Sequence, residues 1–530
     1  MLSINPKTIW GLTLGIIISI AASILIAAPE SSLRALSPLL HNHTPLSAPH
    51  HGDDIRNTLR PLLSPSALIL LPHDDTAILF HHLLAHRWST NPLNTPHPSA
   101  IVIPATESDI SQTVRYANAH NLPFLATTGG HGTGRWLARM QGGGGGVLIH
   151  MRNLTSFHLH HPESGTATLG GGLLSSEVID KLWAAGKQTT TGLCGCVSVV
   201  GPALGGGHGL LQGQYGLVAD QIVSVRLVLG SGEVVQVSGT ERADLFWALR
   251  GAGHNFGVVS ELTVRVHDVE EERREWAYEV FTFTGGRLEE LYTVVGRVMQ
   301  DQPANVVLWS VWARNEKIDP DMPVLIFTVF WNGPVEKRGG YTDPFHALGP
   351  ASYSSGVTDY PGVMVALGTD INNPICQPQG TAFLRGAVVD AYEVRALREW
   401  YTLFSEMLVS EEGFAHSFCM LEGYSVQAVQ AVPSESTAFP DRRQRLLLSP
   451  VATYEAVGNT TLDEAAKNWS KAMEAAALGS QDDRIYVNYA YGDESLQAMY
   501  GYEPWRLERL RMLKGKYDPE NRFRFFAPLV

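Results

Sequence analysis

Thr191–Asp220, TGLCGCVSVVGPALGGGHGLLQGQYGLVAD, is so rich in glycine that it can close neither a regular helix nor a strand over its whole length. Such a run lets another molecule lie against bare backbone, whose converging N–H groups suit phosphates. Cys194 and Cys196 place two soft nucleophiles in the same loop. A second glycine loop, Thr127–Gly134 (TTGGHGTG), sets His131 in a tight turn. The two loops together predict one binding site, with Gly129, Gly130, Gly132, Gly134, Gly205, Gly206 and Gly207 supplying N–H groups.

A chain of 530 residues is too long for one ordinary core, so at least two folded units are expected. A formal net charge of −13 without clustered Lys and Arg argues against a nucleic-acid partner. The N-terminus has Lys7 before an apolar run from Ile9 to Ala28 that ends in small residues, which reads as a secretory signal over 1–28. The alternative is an uncleaved signal anchor, the one route to a membrane partner. Four cysteines make no disulfide scaffold. Sequons at Asn42, Asn153, Asn459 and Asn468 permit glycosylation outside the cytosol. No feature of the chain sets an oligomeric state.

Residues 29–66 carry Pro, Ser and His without periodicity and are expected to be a poorly ordered lead-in. From 67 to 267 short strands alternate with helices. Ala100–Ile103, a helix opened by a capping box at Thr106 and Asp109, and Pro123–Thr127 form a β-α-β unit whose carboxyl end runs into GGH. Gly142–Gly146 reads as a surface loop. Ile222–Leu229 and Val234–Val237 read as a hairpin across GSGE. From 268 to 480 longer strand-like runs, Trp276–Phe283, Val306–Ala313, Val324–Trp331 and Leu446–Val451, are interspersed with helices, predicting strands with helices to one side. RIYVNYAYGD at 484–493 reads as a strand. Its alternation sets Tyr486 and Asn488 on one face and Tyr489 on the other, so the two tyrosines should not share a pocket unless the strand is irregular.

In their order along the chain, SAIVIPATESDISQTVRYANAHNLPFLATTGGHGTG, GLCGCVSVVG, LGGGHGLLQGQYGLVAD, DLFWALRGAGHNFGVV, YVNYAYGD and KGKYDPENRF resemble the berberine-bridge-enzyme-like flavin oxidases of the vanillyl-alcohol oxidase superfamily. The resemblance spans Arg87–His267 and Arg484–Phe526. It implies an α+β fold in which 67–267 and the C-terminal segment 481–530 form one FAD-binding domain, with 268–480 inserted as an antiparallel-sheet substrate domain. It also implies covalent FAD, joined through His131 at the flavin C8 methyl and, as a second link, through Cys194 at C6. Asn488 and Tyr489 fall on the NY pair, whose asparagine helps hold the flavin and whose tyrosine can act as catalytic base. Thr127-Thr128 replace an Arg-Ser frequent before GGH, removing a cation that could orient that loop; Ser198 and Gln221 depart from a frequent glycine and asparagine.

A flavin accepts hydride, so the protein must hold a substrate C–H bond near the ring and take up a proton. Tyr489 serves as base only if neighbouring positive charge or hydrogen bonds lower its pKa from near 10. The expected reaction is oxidation of a small molecule, a specialised metabolite or alcohol, with dioxygen as acceptor and hydrogen peroxide as product. The alternatives are a dehydrogenase with another acceptor and a flavin binder without turnover. Trp309, Trp312 and Trp331 are candidates for the substrate pocket, with core packing as the competing reading. No metal is expected, because His82/His86 and His158/His160 lack a third ligand at suitable spacing. RGAGHNFG follows a helix and precedes a strand, the wrong order for a nicotinamide-binding turn, and no GxSxG marks a serine hydrolase.

Overall fold

The computed structural model describes residues 51–530 apart from 92–94, 142–144, 379, 411 and 455–459. The signal segment, most of the lead-in, most of the Gly142–Gly146 loop and the sequons at Asn42 and Asn459 lie outside the described residues. Asn153 and Asn468 are exposed.

Two small sheets make the first layer. Ala100–Ile103 and Phe124–Thr127 both pair in parallel with Val147–His150, which lies between them, and Leu68–Leu70 adds an antiparallel edge. The helix Glu107–Ala119 crosses over this sheet. Thr106 and Asp109 close the predicted capping box at its start, and Ile110, Val114 and Ala117 are fully buried along one face. A five-stranded antiparallel sheet follows, in which Val258–Arg265 is central and the hairpin Ile222–Val228/Val234–Ser238 lies at one edge.

Order begins earlier than the lead-in reading allowed. His51–Leu59 is a helix, and Ile55, Leu59 and Leu63 are buried against Val114 and Tyr116. Those three apolar residues are too few to show a period, and they gain their hydrophobic surroundings from Glu107–Ala119 and the adjoining sheet.

The second layer is one eight-stranded, wholly antiparallel sheet built from residues between Trp276 and Tyr454. Its two faces differ. On one, Phe281, Leu308, Trp312, Leu325, Trp331 and Leu421 are buried under the helices Leu288–Gln300, Val394–Ser410 and Thr460–Leu478. The other face, carrying Trp309, Phe418, Met420 and Glu422, turns toward the first layer and roofs a cavity. Strand alternation therefore sends Trp309 to the cavity and Trp312 to the core.

The C-terminal segment returns to the first layer. Ile485, Val487, Tyr500, Leu507, Leu510 and Leu513 share one buried cluster with Val225, Leu227, Trp247 and Leu262. The chain is thus α+β, with the antiparallel sheet inserted into a two-part unit.

Candidate functional site

The GGH turn follows the carboxyl end of Phe124–Thr127, where the backbone leaves its parallel sheet. No backbone N–H from Gly129 to Gly134 meets an acceptor among the described residues, and Gly129 to Thr133 line a cavity of about 420 Å³. Glycine is required at Gly129, because a Cβ there would lie 2.3 Å from the Cys196 carbonyl oxygen. The two glycine loops therefore touch backbone to backbone. A row of free donors beside so close an approach is what a phosphate-bearing or ring-shaped ligand needs, so the site fits FAD. The cation missing before GGH is replaced from elsewhere: Arg87, buried, donates from Nη2 to the Gly132 carbonyl at 2.8 Å. Burial pulls its guanidinium down to about 10.

An imidazole and one thiol line the cavity at the GGH turn, with two further sulfurs behind them. Cys196 is bonded to Cys376, which reaches over from the inserted unit. The loop carrying Cys376 is further held by Thr369, whose Oγ1 donates to Leu193 O at 2.7 Å and whose carbonyl accepts from Gly195 N at 2.8 Å. His131 Nε2 lies 3.0 Å from Cys196 Sγ. A disulfide sulfur has no hydrogen to give, so Nε2 carries the proton and Nδ1 keeps a free lone pair. Burial, with the Arg87 and His86 charges adding to it, lowers the His131 pKa to about 4. The ring is neutral and nucleophilic across the physiological range.

Cys194 retains its thiol, 3.5 Å from Cys196 Sγ and 3.6 Å from Cys376 Sγ. What it exposes faces the cavity rather than bulk water, and burial pushes its pKa up to about 12. His131 and the three cysteines lie close enough together to resemble a metal site, but the Cys196–Cys376 bond ties up two of the four donors, and a closed tetrahedral site needs all four.

On the roof of the cavity Glu422 projects from the strand Phe418–Gly423, directly opposite Trp309. Its carboxylate accepts from the hydroxyls of Tyr489 at 2.9 Å and Tyr424 at 2.5 Å. Among the described residues no Lys or Arg pairs with it, and burial raises its pKa to about 7. Sequence reasoning missed this residue, because an acid in an apolar strand carries no motif. Its one signal is that single charge among Phe418, Met420 and Leu421.

Tyr489 departs from the sequence reading in two ways. Val487–Tyr489 is a 3₁₀ turn rather than a strand, and three residues per turn bring Tyr486 and Tyr489 to the same side, ring centroids 5.1 Å apart. Both line the cavity. Burial, the Glu422 charge and the hydrogen bond given to Glu422 hold the Tyr489 pKa well above 10, not below it. Tyr489 is a phenol donating to a carboxylate.

The remaining predicted residues divide. Asn488 lines the cavity, donating from Nδ2 to Tyr486 Oη at 2.7 Å and Pro202 O at 3.0 Å. Gly205, Gly206 and Gly207 do not line it. They are small because Asn488, Phe439 and Val218 pack against them, so they position the site without touching a ligand in it. Gly134 likewise makes room for the Trp136 ring. In their place Gly171, Gly192, Gly201 and Gly257 form part of the wall. Of the three tryptophans only Trp309 is there, its Nε1 buried without an acceptor among the described residues.

Comparison with known proteins agrees with this geometry. Residues 98–238 match the family model described as FAD binding domain, and 485–528 match the one described as Berberine and berberine like. The chain is 36% identical to the FAD-linked oxidoreductase anuG of Penicillium roqueforti over 99% of its own length and 100% of that protein. Among solved structures, BBE-like 1 of Physcomitrella patens superposes with a TM-score of 0.75 at 22% identity, covering 90% of this chain and 99% of that one. Xylooligosaccharide oxidase from Myceliophthora thermophila does so with a TM-score of 0.72 at 20% identity, covering 90% and 98%.

Proposed function

The chain belongs to the berberine-bridge-like FAD-linked oxidoreductases, and from that premise we propose that it oxidises a small, largely apolar organic molecule with dioxygen as acceptor, releasing hydrogen peroxide. FAD, when bound, supplies the two-electron acceptor. Residues 67–267 with 481–530 hold it, and 268–480 cover the substrate. His131 joins the cofactor through its free Nδ1 lone pair, Cys194 stands as the second attachment point, and Asn488 with the N–H groups of the GGH loop orients it.

The observation that carries the reading is Glu422, a buried carboxyl held near neutrality on the roof of the cavity. It is poised to take a proton at the pH of use. A substrate hydroxyl or amine placed against Tyr489 loses its proton to the tyrosine oxygen as Tyr489 passes its own to Glu422. The roof formed by Trp309, Phe418 and Met420 excludes water and favours an apolar ring system over a heavily hydroxylated sugar.

The cross-unit disulfide supports an oxidising compartment, and with the N-terminal segment it supports a secretory route for the protein. The test is a screen of alcohols and ring-bearing metabolites for peroxide release, paired with anaerobic bleaching of the flavin by each hit. Bleaching without peroxide would shift the reading to a dehydrogenase. A bound flavin that no compound bleaches would favour a binder without turnover.

A further inference from the structure

The sulfurs beside His131 exceed what a cross-link needs. Cys196–Cys376 alone staples the cofactor loop to the inserted unit across 180 residues of sequence. Yet a third sulfur, Cys194 Sγ, lies within 3.6 Å of both bonded atoms. Exchange proceeds by attack of a thiolate in line with the bond it breaks; Cys194 Sγ, almost equidistant from the two sulfurs, lies beside that bond, so the step requires its side chain to turn into line first.

We propose that Cys194, Cys196 and Cys376 form a thiol–disulfide exchange centre whose two isomers decide whether Cys194 is open to modification from the cavity. In the exchange the Cys194 sulfur bonds to Cys376 Sγ as the Cys196–Cys376 bond breaks. The electron pair of the broken bond leaves on Cys196, and the proton given up by Cys194 ends there. One disulfide and one thiol stand on each side of the step, so no oxidant or reductant is consumed.

Two features favour Cys376 as the atom attacked. Cys196, the leaving sulfur, already has His131 Nε2–H at 3.0 Å to stabilise its thiolate. Attack on Cys196 instead would join residues only two apart and abandon the staple between the units, whereas a Cys194–Cys376 bond preserves it over 182 residues. The clamp from Thr369 to Leu193 and Gly195 keeps both loops in place in either isomer. Burial keeps Cys194 protonated at neutral pH, so exchange is slow and the isomers are separable.

With Cys196–Cys376 bonded, Cys194 presents a thiol to the cavity; with Cys194–Cys376 bonded, that thiol is consumed. On the reading that FAD occupies the cavity, the isomer present when the cofactor arrives fixes whether one or two covalent links form. The exchange itself does not depend on that reading.

The test uses the full-length protein, acid-quenched, alkylated under denaturing conditions and digested without reduction for mass mapping. In Cys196→Ser, the Cys194–Cys376 peptide should become the main form of Cys376. In the wild-type protein equilibrated in a glutathione redox buffer, both linked peptides should appear. Cys196→Ser with Cys376 alkylated, whether Cys194 is alkylated or carries flavin, would overturn the proposal. Wild-type protein that holds only the Cys196–Cys376 peptide after equilibration would overturn it too, and this arm decides alone if the variant fails to fold. Visible flavin absorbance of the same samples reports the cofactor separately, so loss of the FAD reading is distinguishable from loss of the exchange.

Discussion

Two parts of the cavity wall, one around His131 and one around Glu422, are built in opposite ways. The wall at His131 is largely backbone, made of adjacent glycine loops and free N–H groups, with Cys376 brought in from the inserted unit by the disulfide. The wall at Glu422 is made of side chains from distant segments, with Glu422, Tyr424 and Tyr489 brought together across 67 residues of chain. Burial acts on both, but it produces a neutral nucleophile in one and a near-neutral acid in the other. One desolvation penalty thus yields two chemistries, according to whether the charged form is a cation or an anion.

Substitutions in each part should separate attachment from turnover. His131→Ala is expected to abolish the histidyl link outright. After acid precipitation, colour should leave the pellet or remain only on the Cys194 peptide, and a His131-independent link at any other residue would break the assignment. Glu422→Gln should leave the flavin attached and slow its anaerobic reduction by ~10²–10⁴-fold, the range for losing a positioned general base. An unchanged rate would remove Glu422 from the chemistry.

Tyr489→Phe should cost less, on the order of tenfold in reduction rate, about 1.4 kcal/mol of barrier. Glu422 keeps its place as the final proton acceptor. A loss equal to that of Glu422→Gln would make the tyrosine indispensable to the relay.

The pH dependence follows from the raised carboxyl. As a base Glu422 must be ionised, so kcat/KM should fall below about pH 7, and that limb should vanish in Glu422→Gln. Stability runs the other way. A folded pKa raised to about 7 from 4.5 gives stability that is full below the lower value and lost as pH rises to the higher. Thermal melts of Glu422→Gln should lack that decline.

The faces of the large sheet give the mildest contrast in activity. Trp312→Ala, in the core, should destabilise by about 3–5 kcal/mol with the active enzyme's KM preserved. Trp309→Phe should change KM and leave the melting temperature nearly unmoved. If both behave alike, the cavity face is only packing.

Much of the first layer was legible in the sequence. The Thr106–Asp109 capping box, the helix period through Ile110 and Val114, and the strand running into GGH are all relations within a few residues, where local geometry decides. The same holds for His131. Legibility failed where one residue's meaning lay in a distant partner. Gly205–Gly207 were read as donors to the cofactor, but what requires glycine there is packing against Asn488, Phe439 and Val218, which come from other segments. A one-turn 3₁₀ helix at Val487–Tyr489 leaves no periodic trace, so the tyrosines' common side was hidden.

By itself, then, the sequence determined the cofactor-facing loops, the α+β class and the place of the imidazole, because backbone conformation and short-range spacing specify them. Only the tertiary structure decided which sulfur bonds to which, which tryptophan meets the cavity, and that the acid beside Tyr489 is Glu422. Those depend on sheet pairing and on desolvation by residues hundreds of positions away, and no local pattern encodes either.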